Sequence, residues 1–576
     1  MRAAFATALL LAGCASVPAA PGRPNVIVVM TDDQGYGDFS CHGNPVLRTP
    51  NLDRLHAESV RLTDFHVAPM CTPTRGQLLT GLDALRNGAS SVCAGRSYFR
   101  PGIPTMVEVF RAAGYRTALF GKWHLGDSYP NLPHHRGFEE AVYHLGWGIT
   151  SMADPWQNDC FDGRFHHNGI LKPYPGYCTD VWFDLSIAWM KERRAKGDPF
   201  FLYLPTNAPH GPHWVPAKYK APYEGKGPAA FFGMIANLDE NMGRLDAFLR
   251  ESGLRQNTIL VFLHDNGGTA GVRTWNAGMR GHKTTYYEGG HRAACFIRWP
   301  AGGLEGGRDV DALTHVQDLY PTLAEICGVE RPAVPALDGT SLARILRGGP
   351  APDRMLVVHY GQRPVSREGA VLWGEWRLVH GKELYDVGKD PGQTKDVAAE
   401  HPEVARRMLD HYDRWWRLVE PLVDDMVPVV IGHPAEDPVC LSAADWANVY
   451  CDNMRNLREG VERNGPWHVR VERDGTYEVA LRRWPREADA PIAGGVPEFK
   501  AVDGILPAGK ALPVAKVRLA IGGFDQTRPV GPGDKEVAFT LPLRAGTRTT
   551  MQSWLLDVSG RELAGAYFAY VTFQRR

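Results

Sequence analysis

Two polar pairs, Asp32-Asp33 and Asp265-Asn266, each follow an apolar run or its last residue. They present only oxygen donors, the preference of a hard dication such as calcium or magnesium, and no thiolate or imidazole cluster stands out that would select zinc. Calcium is the better fit, although acidic residues after strands also serve as turn residues and helix caps. Cys71 opens the string CTPTRGQLLTG. Pro73 suits a helix's first turn and Gly81 its end, so a helix is predicted over 72–80. Cys71 then lies at the positive end of that helix, where backbone N–H groups favour an anion, and Arg75 shares its face. By residue type alone, Cys71 fits either a buried thiol or an ordinary thiolate. Taken singly, His124 and His210 read as core or turn histidines, and Lys122 and Lys283 as solvated charges.

These residues need a frame, and the apolar runs supply one. NVIVVM (25–30) precedes Asp32, TALF (117–120) precedes GKWH, FFLYLP (200–205) precedes TNAPH, and TILVFL (258–263) precedes HDNGG. A continuous β-branched run such as the first is expected of a strand buried on both faces of a parallel sheet. Helical stretches at 51–60, 103–113 and 229–251 alternate with these runs, so a mostly parallel sheet flanked by helices follows. Ligands of such sheets bind beyond the carboxyl ends of the strands, where the four polar clusters would converge.

The string from Cys71 to Gly81 closely resembles the sulfatase signature C-x-P-S-R-x-x-x-L-T-G. Its neighbours do so in the same order: NVIVVMTDDQGYGD, RTPNLDRL, GYRTALFGKWHLG, NAPHGPH, HDNGG, the EGGHR to FIRWP segment and ELYDVGKDP. The resemblance runs from about residue 25 to about 397. Thr74 stands where the signature most often has serine, and His291 and Ala294 where aliphatic residues and proline are commoner. What the resemblance implies is an alkaline-phosphatase-like α/β fold and hydrolysis of a sulfate monoester, on a carbohydrate or aryl alcohol. Cys71 would be oxidised to formylglycine by a formylglycine-generating enzyme, its hydrated aldehyde supplying the attacking oxygen and a metal ligand. Asp32, Asp33, Asp265 and Asn266 match the calcium ligands. Arg75 and Lys122 match residues that polarise or orient the diol and sulfate, His124 the residue that helps the sulfated intermediate collapse, and Lys283 with His210 the pair that binds sulfate and protonates the leaving group.

Those residue types suit the reaction. A sulfate monoester repels a nucleophile, so a dication with Arg75, Lys122 and Lys283 must offset charge as the leaving oxygen departs, and that oxygen needs a proton. A geminal diol has a further use, because its second hydroxyl can lose its proton and expel sulfate, an exit that plain cysteine or serine lacks. Two rival readings are a phosphate or phosphonate monoester hydrolase of the same superfamily and a catalytically silent, lipid-tethered glycan-binding protein.

The remaining sequence sets the context. At 576 residues the chain exceeds one core, and 64 basic against 64 acidic residues, with no basic run, do not favour nucleic acid. Met1 and Arg2 precede an apolar run that reads as an export signal, and Leu11-Ala12-Gly13-Cys14 resembles the lipobox of bacterial lipoproteins. That implies acylation of Cys14 and a lipid-anchored protein of the bacterial cell envelope, the alternative being an ordinary signal cut near Ala19. Ten cysteines fit export, with local bridges suggested for Cys160 with Cys178 and Cys440 with Cys451. The expected organisation is a signal segment (1–14), a tether (15–24), the catalytic α/β domain (25–350), a small α+β subdomain (351–420) and a β-rich accessory domain (421–576). Within the excursion from Asp127 to Thr179, Trp147, Trp156, Arg164, His166 and His167 form a mixture able to stack on and hydrogen-bond sugar.

Overall fold

A computed structural model describes residues 22–333 and 335–574. The signal segment and Cys14 lie outside the described residues. The strand Asn25–Thr31 shows why the main body folds as it does. Its apolar side chains alternate between two cores: Val26, Val28 and Met30 enter one, Ile27 and Val29 the other. The strands Phe200–Pro205 and Thr258–His264 pair with it in parallel on either side, and Arg116–Lys122 and then Glu140–His144 continue the parallel array.

Antiparallel additions, with the short strand Asp309–Val310 paired in parallel to Val60–Leu62 at one edge, complete a ten-stranded sheet. Cys295–Arg298 joins Thr258–His264 and then Val60–Leu62, while Arg164–His167 and Ile170–Pro173 extend the opposite edge. One face is covered by the helices Cys71–Thr80, Met106–Ala112 and Leu319–Ile326, through Leu78, Phe110 and Leu323. The other is covered by Pro50–Glu58, Cys178–Lys196 and Ala229–Glu251, through Leu55, Trp182 and Leu238. This is the expected mostly parallel α/β architecture.

Several boundaries differ from the sequence reading. The helix expected over 103–113 starts at Met106, because Thr105 caps it: its hydroxyl accepts from Glu108 N at 3.2 Å while the Glu108 carboxylate accepts from Thr105 N at 2.6 Å. The helix expected over 51–60 stops at Glu58, and Val60 opens an edge strand instead. Glu140–His144, inside the segment read as an excursion, is a fifth parallel strand.

Beyond the main body, Met355–His359, Gly369–Trp373, Trp376–Val379 and Glu383–Asp386 form an antiparallel sheet against the helix Pro402–Val419. Two further sheets then pack face to face. Trp467–Val471, Lys516–Ile521 and Arg548–Leu556 lie in one, Gly475–Arg482, Val537–Leu543 and Phe568–Gln574 in the other, and the inward residues Val469, Leu519, Val479 and Phe539 share one core. That β-sandwich accounts for the alternating pattern of the tail. The nine described cysteines are free thiols. The suggested Cys440–Cys451 bridge is not formed, since Cys440 is exposed on its strand and Cys451 is buried in the sandwich core. Cys160 and Cys178 do adjoin, with Cys178 N donating to Cys160 O at 2.8 Å, but they too are unbridged.

Candidate active site

Parallel pairing brings the polar clusters to one edge. Thr31 stands beside His264 in the register, so the next residues, Asp32 and Asp265, emerge side by side, with Asp265 N donating to Thr31 O at 3.1 Å. Lys122 ends the strand Arg116–Lys122. Gly121 before it, at φ 129°, permits this approach, because a Cβ there would lie 2.0 Å from the Pro205 carbonyl oxygen. Asp33 and His124 both adopt left-handed backbone, at φ 65° and 58°, which turns each chain sharply at the sheet edge.

The helix Cys71–Thr80 is buried throughout. Met70 precedes it in extended conformation and Gly81, at φ 66°, ends it, so Cys71 is its first residue. The Thr74 hydroxyl donates to Ala68 O at 3.1 Å and the Thr72 hydroxyl to His124 O at 3.0 Å. Threonine at position 74 thus retains a hydroxyl that ties the helix to the segment before it.

Ligand atoms of Asp32, Asp33, Asp265 and Cys71 lie within 4.8 Å of one another, all buried. Asn266 donates from Nδ2 to Asp33 Oδ1 at 3.0 Å, while its Oδ1 is buried without a partner, a free acceptor beside three carboxylates. Burial, then the neighbouring Asp265 charge, pushes Asp32 up to about 7. A buried carboxyl that resists ionisation beside two others, with an orphaned amide oxygen next to them, is suited to a dication with oxygen ligands.

Fixed cations surround the cluster. Arg75 donates from Nε and Nη2 to Asp265 Oδ2 at 3.1 and 2.7 Å, and both side chains are fully buried. Lys122 Nζ donates to Asp32, and Lys283 Nζ donates to Asp33 and to Cys71 Sγ, the latter at 3.3 Å. Although burial opposes the charge on Lys283, Asp33 and Cys71 hold it protonated well above the usual range. Conversely, burial would raise Asp33, but Lys283 and His210 outweigh it and hold the carboxyl low. Three cations therefore balance three carboxylates, and a bound dication would leave the pocket positive toward an anion.

Both histidines lie at the rim of this pocket. His210 Nδ1 contacts Gly211 O at 2.7 Å, so its Nε2 is turned inward, 3.7 Å from Asp33 Oδ2. Burial pushes His210 down to about 3. His124 holds Val92 O through Nε2 at 2.9 Å, and its buried Nδ1 has no partner. Burial pushes it well below the usual histidine range. Burial also pushes the Cys71 thiol up to about 12, so the unmodified side chain is a neutral thiol and not the ordinary thiolate that its helix position alone would allow.

All ten residues singled out from the sequence thus gather at one edge, drawn from six separate stretches of chain. Of the five side chains named in the excursion, only Trp147 reaches it, its ring 4.9 Å from His210. Trp156 packs on Trp484, Arg164 donates to Trp156 O, His166 stacks on Tyr143 and His167 pairs with Glu140. Sequence reasoning missed His144, the last residue of Glu140–His144. It stands beside Lys122 in the register, fully buried, with neither ring nitrogen partnered. The signal was present, because Ala141-Val142-Tyr143 is another apolar run ending in a polar residue. The structure also brings together Cys41, His42 and His56, and His66, Glu288 and His291, two imidazole-bearing groups that do not stand out along the chain.

A family model described as Sulfatase matches residues 24–329, which include all ten residues. Arylsulfatase A of Homo sapiens is 32% identical over 464 residues, covering 69% of this chain and 89% of its own. N-acetylgalactosamine-6-sulfatase of Canis lupus familiaris is 29% identical over 420 residues, covering 67% and 78%. Among solved structures, that of Ps i-CgsB in complex with k-i-k-neocarrahexaose has the same fold, with a TM-score of 0.63 at 24% identity over 69% of this chain and 98% of that one. Likeness of this extent, over the very stretch that builds the pocket, makes the chain a member of the sulfatase family and a sulfuric ester hydrolase.

Proposed function

We propose that the chain hydrolyses the sulfate ester of a saccharide, using a formylglycine made from Cys71 and a calcium ion held by Asp32, Asp33, Asp265, Asn266 and the modified residue 71. The observation that carries this reading is the enclosure of residue 71 between three carboxylates and the cations Arg75, Lys122 and Lys283. The Cys71 sulfur stands in for the oxygen that oxidation and hydration would place there. Calcium would supply positive charge to the reacting anion, and the hydrated aldehyde an oxygen nucleophile. Lys283, held protonated, meets the ester anion, and Arg75 and Lys122 keep the acidic residues ionised and oriented. His210 is neutral at rest; the negative charge of a bound ester raises its affinity for a proton, which its inward Nε2 delivers to the leaving oxygen. His124, with a free Nδ1, is placed to exchange the proton that accompanies sulfate release.

A saccharide is favoured because relatives and fold neighbours are named for work on sulfated sugars or are bound to a neocarrahexaose. Cys71 is only 1% exposed, so a maturation enzyme must reach it before the body closes. Export to the bacterial envelope with an acylated Cys14 completes the proposal, since an anchored enzyme would act on saccharides outside the cytoplasm. Peptide mass spectrometry of residue 71 tests the modification, where formylglycine replaces hydrogen sulfide with oxygen. Paired assays on sulfated disaccharides, aryl sulfate and aryl phosphate test the activity. An unmodified cysteine in active enzyme, or a strong preference for phosphate, would overturn the reading.

A further inference from the structure

The C-terminal sandwich does not merely pack behind the catalytic body; one of its connections reaches the active-site rim. Ala94 N donates to Ala444 O at 2.7 Å and Asn448 N to Ala94 O at 3.1 Å. Met152 N donates to Asp452 O at 2.8 Å and Met454 N to Thr150 O at 2.9 Å, and Ser151 bridges Asn453. Residues 444–454 are thereby laced to two loops of the body, one of which carries Trp147. The Trp147 indole N–H donates to Asp452 O at 2.9 Å, which fixes the plane of a half-buried ring lying 4.9 Å from His210. Tyr450, 38% exposed, stands beside the Asp452 carboxylate, which lies within the field of Lys283.

A sugar presenting its leaving oxygen to His210 comes within reach of Trp147, whose ring lies 4.9 Å away. A pyranose suits such a position, because its C–H faces pack on aromatic rings while its hydroxyls seek acceptors. We infer that the 444–454 connection of the sandwich walls a leaving-group subsite, in which the sulfated sugar stacks on Trp147 and Tyr450 and donates hydroxyls to the Asp452 carboxylate. This rests on the saccharide reading above. It gives the sandwich a part in substrate choice, with Trp147 held in place before the sugar arrives.

The test uses the full-length, matured enzyme, with Tyr450→Ala, Asp452→Asn and Trp147→Phe compared on sulfated disaccharides and on para-nitrophenyl sulfate. Tyr450→Ala and Asp452→Asn are expected to raise KM for the best disaccharide about tenfold, the equivalent of one stacking or hydrogen-bond contact, and to leave the aryl ester within about twofold. Trp147→Phe, which keeps a ring but loses its tether, is expected to fall between wild type and these two. If Tyr450→Ala and Asp452→Asn leave disaccharide kinetics unchanged, or lower both substrates together, the subsite is overturned while the sulfatase reading stands. A wild-type enzyme that cleaves the aryl ester and no disaccharide would strike the saccharide reading itself, and the subsite with it.

Discussion

Lys283 Nζ lies 3.3 Å from Cys71 Sγ, across 212 positions of sequence, and the same ammonium also donates to Asp33. One cation thus touches both the reactive residue and an acidic residue of the candidate metal cluster. Replacing it with Lys283→Met is expected to lower kcat/KM on aryl sulfate by about 10²- to 10³-fold, the usual cost of losing one preorganised charge at a reacting centre. Steady-state kinetics with an unchanged circular-dichroism spectrum would check this.

The candidate metal cluster leads to a prediction of stability as well as activity. Calcium at about one hundred times its dissociation constant should stabilise the protein by about 2.7 kcal/mol, measured by thermal or urea unfolding. Asp265→Asn should abolish that increment. Chelation should lower both the midpoint and the turnover, and an activity indifferent to chelator would contradict a bound dication.

His144 can be tested by shape. His144→Phe fills the same buried space and removes both nitrogens. If the ring acts on the bound ester or holds Lys122 in place, kcat drops by roughly 10²-fold. A packing role would leave turnover intact.

A second buried ion cluster lies away from the pocket, where Arg377 donates to Glu288 Oε1 at 2.6 Å and to Asp64 Oδ1 at 2.9 Å. Burial would raise both acids, but Arg377 and Arg292 outweigh it, holding Glu288 at about 2 and Asp64 lower still. Because the unfolded chain binds these protons more readily, the stabilisation is complete above the ordinary glutamate value of 4.5. It is lost as pH falls toward about 2. Arg377→Met should cost about 3–5 kcal/mol at neutral pH, and unfolding of the variant should depend less on pH across that window.

Fractionation tests the expected anchor. Wild-type protein expressed with its own leader should sediment with membranes and release into detergent, whereas Cys14→Ser should appear in the soluble fraction. Equal partition of the two would favour the ordinary signal cut near Ala19.

Much of the frame was legible because buried parallel strands announce themselves. The run Asn25–Thr31 has no polar residue between its ends, a pattern that only a strand covered on both faces sustains. Shorter strands were harder. Glu140–His144 is short and lies within a long polar segment, so its one local signal, the three-residue apolar run Ala141-Val142-Tyr143, was easily overlooked. The helix start at Met106 depended on Thr105 and Glu108 satisfying each other, a local signal that the broad apolar pattern overran.

The sequence by itself determined the kinds of groups present, their order, and their attachment to strand ends and a helix start, since those follow from local periodicity and from residue types that resemble a known signature. Only the tertiary structure decided which side chains meet. It put Trp147 beside His210 while turning Trp156 into the sandwich interface, and it brought Asp452 from the far end of the chain to the pocket rim. The physical reason is that such meetings depend on how sheets and sandwich pack over long sequence separations, and no local pattern carries that information.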